Sequence, residues 1–152
     1  VNQLITSPRA TLSAESPSAE IEANKYAATA VRIGNQTFEV ELALTDEQKA
    51  LGLGERDSLA KNAGMLFIFK PAEVATFWMK GMRFNLDMVW IADGKIVEIT
   101  HNAPAPKPGI KTEDLPTYSA NTEVDYVLEI NAGAARELKI GDRVEIIDST
   151  QV

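Results

Sequence analysis

The sequence predicts an α+β fold that is mainly β: a small antiparallel β-barrel-like (or sandwich) domain with two short helices. Apolar and polar residues alternate over several short runs, as on half-buried strands. Turn dipeptides such as Gly34-Asn35 and Asp93-Gly94 separate some of these runs. The pattern gives about seven strands, and so many short strands favour a closed or nearly closed barrel, or a sandwich.

The composition permits such a domain without covalent cross-links. The 152 residues are enough for one hydrophobic core, and the absence of cysteine excludes disulfides, thiol nucleophiles and cysteine-ligated zinc. The net charge of −7 repels phosphate backbones and anionic membranes, so we expect no nucleic-acid partner. No apolar stretch approaches the roughly 18 residues of a transmembrane segment. We expect a soluble protein, with a monomer as the simplest state.

Residues 1–28 are predicted to form a flexible N-terminal tail, and residues 29–152 a single folded domain. The tail contains Pro8 and Pro17, and no aromatic residue precedes Tyr26. Such a segment cannot bury enough apolar surface to offset the entropy of ordering it. It also lacks the charged and apolar regions of a signal peptide. Either a signal segment has been removed or the sequence was trimmed, and both interpretations stay open.

The first folded elements are predicted to be a hairpin and a short helix. Apolar residues alternate between Ala30 and Leu42, on both sides of Gly34-Asn35, which indicates a hairpin with a two-residue turn. Thr45 followed three residues later by Gln48 is a capping box, the usual sign of a helix N-terminus. Gly52 then ends this helix.

The central part of the chain is predicted to contain four more strands. They are Met65–Phe69, Ala75–Met79, Leu86–Ala92 and Lys95–Thr100. Asp93-Gly94 joins the last two by a type I′ turn. Residues 101–119 contain four prolines, so they are predicted to have no regular structure.

The C-terminal part is predicted to contain a strand, the second helix and a last strand. Val124–Ile130 resumes the strand pattern, and Asn131 is expected to cap a helix of one to two turns that ends near Leu138. Gly141-Asp142 then turns the chain into the strand Arg143–Ile147.

Several of these segments resemble, in order, one widespread prokaryotic family, catalogued as domain of unknown function 192. The similar segments are LALTDEQKALGLGER, GMLFIF, FWMK, LDMVWIADGKIVEI, YVLEINAG and IGDRVEI. The resemblance covers roughly residues 31–147 and implies a small β-barrel-like α+β domain without an established activity. Members are often exported, which implies a periplasmic or exported location and leaves the cytoplasm open. Many members carry a cysteine in the proline-rich loop, but this chain has none. Any thiol chemistry of those members therefore does not apply to this chain.

Trp78, Lys80 and Asp87 are the first candidate ligand-binding residues. On a strand, Trp78 and Lys80 face the side opposite to Phe77 and Met79, which would fill the core. Asp87 lies among apolar neighbours, where a carboxylate is costly to bury without a partner. Lys80 could be that partner. An ordinary ion pair, or an Asp87 that fixes a turn through backbone bonds, is the favoured interpretation.

Arg56 and Tyr118 complete the candidate ligand-binding set. The Arg56 guanidinium could clamp a carboxylate or phosphate, although bracing its loop against backbone carbonyls is favoured. Tyr118 ends the proline-rich loop and could close over a pocket floored by Trp78 and Lys80. A loop of this length is often functional; the alternative is a strap that covers a sheet edge or a barrel end.

His101 is the only histidine and the candidate acid/base residue. Imidazole titrates near pH 6.5, so His101 could act as a general base. The nearby hydroxyl residues do not have the spacing of a catalytic triad, and a single histidine argues against a histidine-based metal site. We predict no metal and no cofactor, and a solvated loop histidine is favoured.

These features favour a small-ligand or peptide binding or accessory module of the cell envelope. Aromatic and charged residues on strand faces beside a long loop, without a catalytic constellation, support this prediction. One alternative is a hydrolase that uses Asp87 or His101 as general base. The other is a structural protein-interaction domain with an apolar patch or an open strand edge. The sequence leaves the ligand, any reaction and the partner proteins open.

Overall fold

The structure is a computed structural model that describes residues 26–147. The strands are β1 (Ala27–Ile33), β2 (Gln36–Ala43), β3 (Ala63–Glu73), β4 (Phe77–Trp78), β5 (Leu86–Ala92), β6 (Lys95–Ala103), β7 (Thr117–Tyr118), β8 (Val124–Asn131) and β9 (Val144–Ile147). Helix α1 spans Asp46–Leu51, and a 3₁₀ turn spans Thr112–Asp114. Most of the predicted tail lies outside the described residues, and β1 begins two residues before the predicted domain boundary.

Seven strands form one curled sheet in the order β6-β5-β8-β3-β2-β1-β9, and β4 pairs with β7 in a separate ribbon. The two end strands of the sheet approach each other at one corner. Lys95 forms a bridge with Arg143, and the Gly141 N–H donates to the Ile96 carbonyl at 2.8 Å. The sheet is therefore a half-barrel, which confirms the mainly β, barrel-like prediction.

The local turn and cap predictions are confirmed. Thr45 and Gln48 exchange the two hydrogen bonds of a capping box at the start of α1. The β1–β2 hairpin has the two-residue turn at Gly34-Asn35. Asp93 and Gly94 have φ values of 51° and 72°, and two positive φ values are what a type I′ turn requires.

The strand pairing differs from the predicted antiparallel arrangement at one place. β2 and β3 are parallel, with Val40 beside Gly64 and Leu42 beside Leu66. Parallel neighbours need a crossover connection, and the segment that contains α1 carries the chain from the end of β2 to the start of β3.

The prediction of a second helix after Asn131 is wrong. Residues 132–137 form successive turns, with i to i+3 bonds such as Ala134 N–H to the Asn131 carbonyl. The Asn131 side chain does not cap them, because its amide donates to the Leu59 carbonyl at 2.9 Å. Two N–H groups of these turns instead donate to Asp87.

The predicted extents of two other segments are wrong. Of the strand predicted over Ala75–Met79, only the two residues of β4 are in regular pairing. The segment 101–119 is not wholly irregular, because it contains the end of β6, the 3₁₀ turn and β7. Prolines are tolerated in this segment because they lie between these short elements rather than within a central strand.

The sheet is buried on both faces, so its apolar residues form two clusters rather than the single core that was expected. The cluster that joins the two end strands, through Ile96 of β6 and Val144 of β9, is here called the inner cluster, and it also includes Val31, Phe38, Leu66, Val89 and Leu128. The outer cluster, under the β4–β7 ribbon, includes Met65, Phe67, Phe77, Met88 and Trp90. Successive residues of β5 lie on opposite faces, as expected for the predicted strand: Met88 and Trp90 belong to the outer cluster and Val89 to the inner one.

Candidate functional site

An open cleft of about 440 Å³ lies between the end of β6 and the turn that follows β8. Its lining residues are Asp87, His101, Asn102, Ala132, Gly133 and Arg136. The volume is within the range of roughly 300–1,000 Å³ that is usual for small-ligand sites. The cleft combines two of the sequence candidates, Asp87 and His101, with residues that were not predicted.

A bulge in β6 brings His101 and Asn102 opposite Asp87. The flanking strand pairs are Leu86–Ala103 and Met88–Thr100. One residue of β5 therefore faces two residues of β6, which is the definition of a β-bulge. Asn102 has a φ of 54°, in the left-handed region that asparagine tolerates better than most residues. The bulge turns His101 and Asn102 toward the cleft.

The Asp87 carboxylate is fully buried and accepts three backbone hydrogen bonds. Its Oδ1 accepts from the N–H of Asn102 at 2.8 Å. Its Oδ2 accepts from the N–H groups of Gly133 at 2.9 Å and Ala135 at 3.0 Å. Backbone donors of this kind compensate for the loss of water around a buried carboxylate. Asp87 thus ties the bulge to the turn, as in the interpretation that it fixes a turn through backbone bonds.

His101 lies in β6, beside Asp87, and not in a loop. Its Nδ1 is 4.0 Å from the Asp87 Oδ2, a distance at which charges interact but no hydrogen bond forms. The imidazole is 56% exposed, whereas the Asp87 side chain is 1% exposed. A ligand that enters the cleft would therefore meet the imidazole and not the carboxylate.

Arg136 is the cleft residue that the sequence did not indicate. It lies in the turn that follows β8, is exposed, and makes no ion pair with any residue from 26 to 147. An arginine in an apparent surface helix gives no signal of a site, because charged residues are usual there. The long-range hydrogen bonds that Asp87 accepts from this turn help to place Arg136 at the cleft.

A small amide network supports the rim of the cleft. Asn85 Nδ2 donates to Asn102 Oδ1 at 3.0 Å, and Asn85 Oδ1 accepts from the Ala105 N–H at 2.9 Å. The Asn85 carbonyl also accepts from the Ala132 N–H. Asn85 therefore links the bulge, the start of the proline-rich segment and the turn.

The residues that line this cleft do not include Trp78, Lys80 or Tyr118. The Lys80 Nζ is 5.4 Å from the centroid of the Trp78 ring, and Lys80 is not among the hydrogen-bonded partners of Asp87. Tyr118 pairs with Phe77 in the ribbon, and burial raises the pKa of the Tyr118 hydroxyl. The structure does not bring these residues together with Asp87, and a binding role for them stays a prediction.

Arg56 clamps a carboxylate of this chain. Its guanidinium donates to the two oxygens of Glu41 at 2.5 and 3.1 Å, and these hydrogen bonds raise the pKa of Arg56. The guanidinium also lies 5.6 Å from the centroid of the Tyr26 ring. Desolvation raises the pKa of the Tyr26 hydroxyl. Arg56 therefore braces its loop against Glu41 of β2 and not against backbone carbonyls.

No group of three or more histidine, aspartate or glutamate side chains between residues 26 and 147 is arranged to hold a metal ion. No helix in the same part of the chain has the length and apolar character needed to cross a membrane.

The comparisons with known proteins agree with the sequence segments quoted above. The model of the family DUF192, described as "Uncharacterized ACR", matches residues 29–146. A solved structure from Sinorhizobium meliloti 1021, named "putative transcription regulator", is 35% identical with a TM-score of 0.70, over 80% of this chain and 95% of that one. A protein of unknown function from Novosphingobium aromaticivorans DSM 12444 is 31% identical with a TM-score of 0.69, over 90% and 94%. No curated protein matches. Because the family model spans most of the chain, the protein belongs to the domain of unknown function 192 family.

Proposed function

We propose that this protein is a small-ligand-binding module and that the cleft at Asp87 is its ligand site. The observation that carries the proposal is a buried carboxylate whose backbone bonds hold both walls of the cleft. The side chains of His101, Asn102 and Arg136 lie at the mouth. Because the backbone of both walls is held in place, the cleft needs little rearrangement when a ligand binds, which favours affinity.

A role as an accessory module of the cell envelope belongs to the same proposal. The frequent export of proteins in this family supports a periplasmic or exported location. The net charge of −7 supports a ligand other than nucleic acid. Peptides remain within the proposed ligand class, because an extended chain end could enter an open cleft beside an edge strand.

Filling the cleft should abolish ligand-dependent stabilisation. Wild type and Ala132→Phe would be screened by thermal shift against organic acids, amines, sugars and tripeptides. A ligand at one hundred times its Kd stabilises the folded form by about 2.7 kcal/mol, which raises the melting temperature by several degrees. We expect such a rise in the wild type and none in Ala132→Phe.

Ala60→Phe is the matched control, because Ala60 is exposed and lies outside the cleft. This variant should respond to ligands like the wild type. A ligand that stabilises Ala132→Phe as much as the other two proteins would show that the site is elsewhere. No response of the wild type to any compound class would count against the binding function itself.

A hydrolase is the second candidate, favoured by the 4.0 Å contact between His101 Nδ1 and the Asp87 carboxylate. A carboxylate can orient an imidazole that acts as a general base. None of the described lining residues carries a hydroxyl or a thiol, so the nucleophile would be water. Hydrolysis of p-nitrophenyl acetate by the wild type should then fall by about 100-fold or more in His101→Gln. Equal rates for the two proteins would exclude His101 from this role.

A further inference from the structure

We propose that the ligand of this cleft carries a carboxylate group, which binds between the Arg136 guanidinium and the His101 imidazole. This inference rests on the proposed function and specifies the ligand class of the same site. The chemistry is that of a planar guanidinium, whose N–H groups match the two oxygens of a carboxylate.

Arg136 differs from the arginines that are paired in the structure. Arg32, Arg56 and Arg83 each contact a carboxylate of this chain at 2.5–2.6 Å. Arg136 has no such partner among residues 26–147, and it borders the cleft. Within the described part of the chain, its guanidinium N–H groups have no carboxylate partner, so they can donate to an acceptor on a ligand.

The negative charge at the back of the cleft opposes an anionic ligand only in part. The Asp87 oxygens point at the backbone N–H groups of Asn102, Gly133 and Ala135, and the side chain is only 1% exposed. The three N–H dipoles offset part of its charge. A ligand meets the exposed imidazole first, with Asp87 behind it at 4.0 Å.

A monocarboxylate fits the charge of the site better than a phosphate. Arg136 is the one permanently cationic residue among those that line the described cleft. The whole chain carries a net charge of −7, which repels a dianion more strongly than a monoanion. One guanidinium matches one carboxylate in charge and in geometry.

Two sources of a carboxylate are compatible with this chemistry. One is a small organic acid, and the other is the C-terminus of a peptide. One edge of β6 pairs with β5 along its length. At the other edge, the described backbone hydrogen bonds involve only the first two residues of β6, Lys95 and Ile96. The outer edge near His101 could therefore also receive the backbone of an extended peptide.

The single histidine makes the cleft directly observable by NMR. Tag-free protein has one histidine, so every imidazole C–H signal belongs to His101. The protein would be titrated with hippurate, with hippuramide, which replaces the carboxylate by a neutral amide, and with inorganic phosphate. We expect hippurate to shift the signal with at least tenfold higher affinity than either of the other probes. Gly-Gly-Phe and its C-terminal amide would then distinguish the two sources. Tighter binding of Gly-Gly-Phe than of its amide would indicate the C-terminus of a peptide, whereas a response to hippurate alone would indicate a small organic acid.

Arg136→Gln should weaken hippurate binding at least tenfold, whereas Arg136→Lys should retain part of the affinity. Arg143→Gln is the matched control, because the Arg143 side chain is also exposed and forms no ion pair with the described residues, but it lies outside the cleft. Equal binding of hippuramide, tighter binding of phosphate, or no effect of Arg136→Gln would overturn the carboxylate assignment while the cleft remained a ligand site. If no compound of the thermal-shift screen moves the His101 signal, the proposed function itself fails.

Discussion

Asp87→Ala is expected to lower the free energy of unfolding by about 3 kcal/mol or more. The substitution leaves the N–H groups of Asn102, Gly133 and Ala135 without their acceptor. The bond from Ala135 is buried and the other two are partly buried, and a buried donor without a partner costs about 1–3 kcal/mol. Relief of the buried charge offsets part of this cost. Urea denaturation followed by tryptophan fluorescence would measure the loss. Hydrogen exchange at Gly133 and Ala135 should also accelerate, because the turn loses its attachment to the sheet.

Asp125→Ala is the control for this experiment. Asp125 also accepts a backbone hydrogen bond, from the Asp93 N–H at 2.9 Å, but this bond is single and exposed. We expect a loss of under about 1 kcal/mol there. Asp87→Asn keeps one acceptor oxygen and should fall between the two. A loss in Asp87→Ala no larger than that in Asp125→Ala would show that the three bonds do not hold the turn.

The parts of the fold that the sequence predicted well depend on neighbouring residues. The capping box at Thr45 and Gln48 and the Asp93-Gly94 turn involve residues within a few positions of each other, so their physics is visible in a short window. The alternation along β5 likewise assigned Met88 and Val89 to opposite faces. Local bonds and side-chain periodicity are enough for these features.

The parts that the sequence did not predict depend on distant residues. The turns after Asn131 were predicted as a helix because Asn131 is a good N-cap. In the structure, the Gly133 N–H instead donates to Asp87, which lies 46 residues earlier in the chain. The parallel pairing of β2 with β3 follows from the path of the chain through α1. No periodicity within either strand distinguishes a parallel from an antiparallel neighbour.

The candidate site shows the same limit. Asp87 was notable as an acid among apolar residues and His101 as the only histidine, so both could be identified separately. Their contact depends on the bulge in β6, which the sequence does not mark. Arg136 gave no signal, since an exposed arginine is ordinary. The alternation around Trp78 and Lys80 predicted a strand face, but β4 has only two residues and belongs to the outer layer.

Phe77→Ala is expected to destabilise the protein by about 3–5 kcal/mol. Phe77 is fully buried in the outer cluster, where its ring makes edge-to-face contacts with Phe67 at 5.0 Å, Trp90 at 5.6 Å and Phe69 at 6.3 Å. Alanine would leave a cavity that the rigid sheet below cannot close. Since small domains have a free energy of unfolding of about 5–15 kcal/mol, this loss is a large fraction of it. Urea denaturation would measure it.

Phe84→Ala is the matched comparison, because Phe84 packs against the same cluster but is only partly buried. Its loss should be less than half of that for Phe77→Ala, and Phe77→Leu should retain most of the stability. Equal losses at the two phenylalanines would mean that the ring contacts of Phe77 contribute nothing specific. The expected difference matters for the fold because β4 and β7 share only two residue pairs, Phe77–Tyr118 and Trp78–Thr117. So short a ribbon cannot be held by its own hydrogen bonds, and the fully buried Phe77, together with Tyr118, packs it onto the outer cluster.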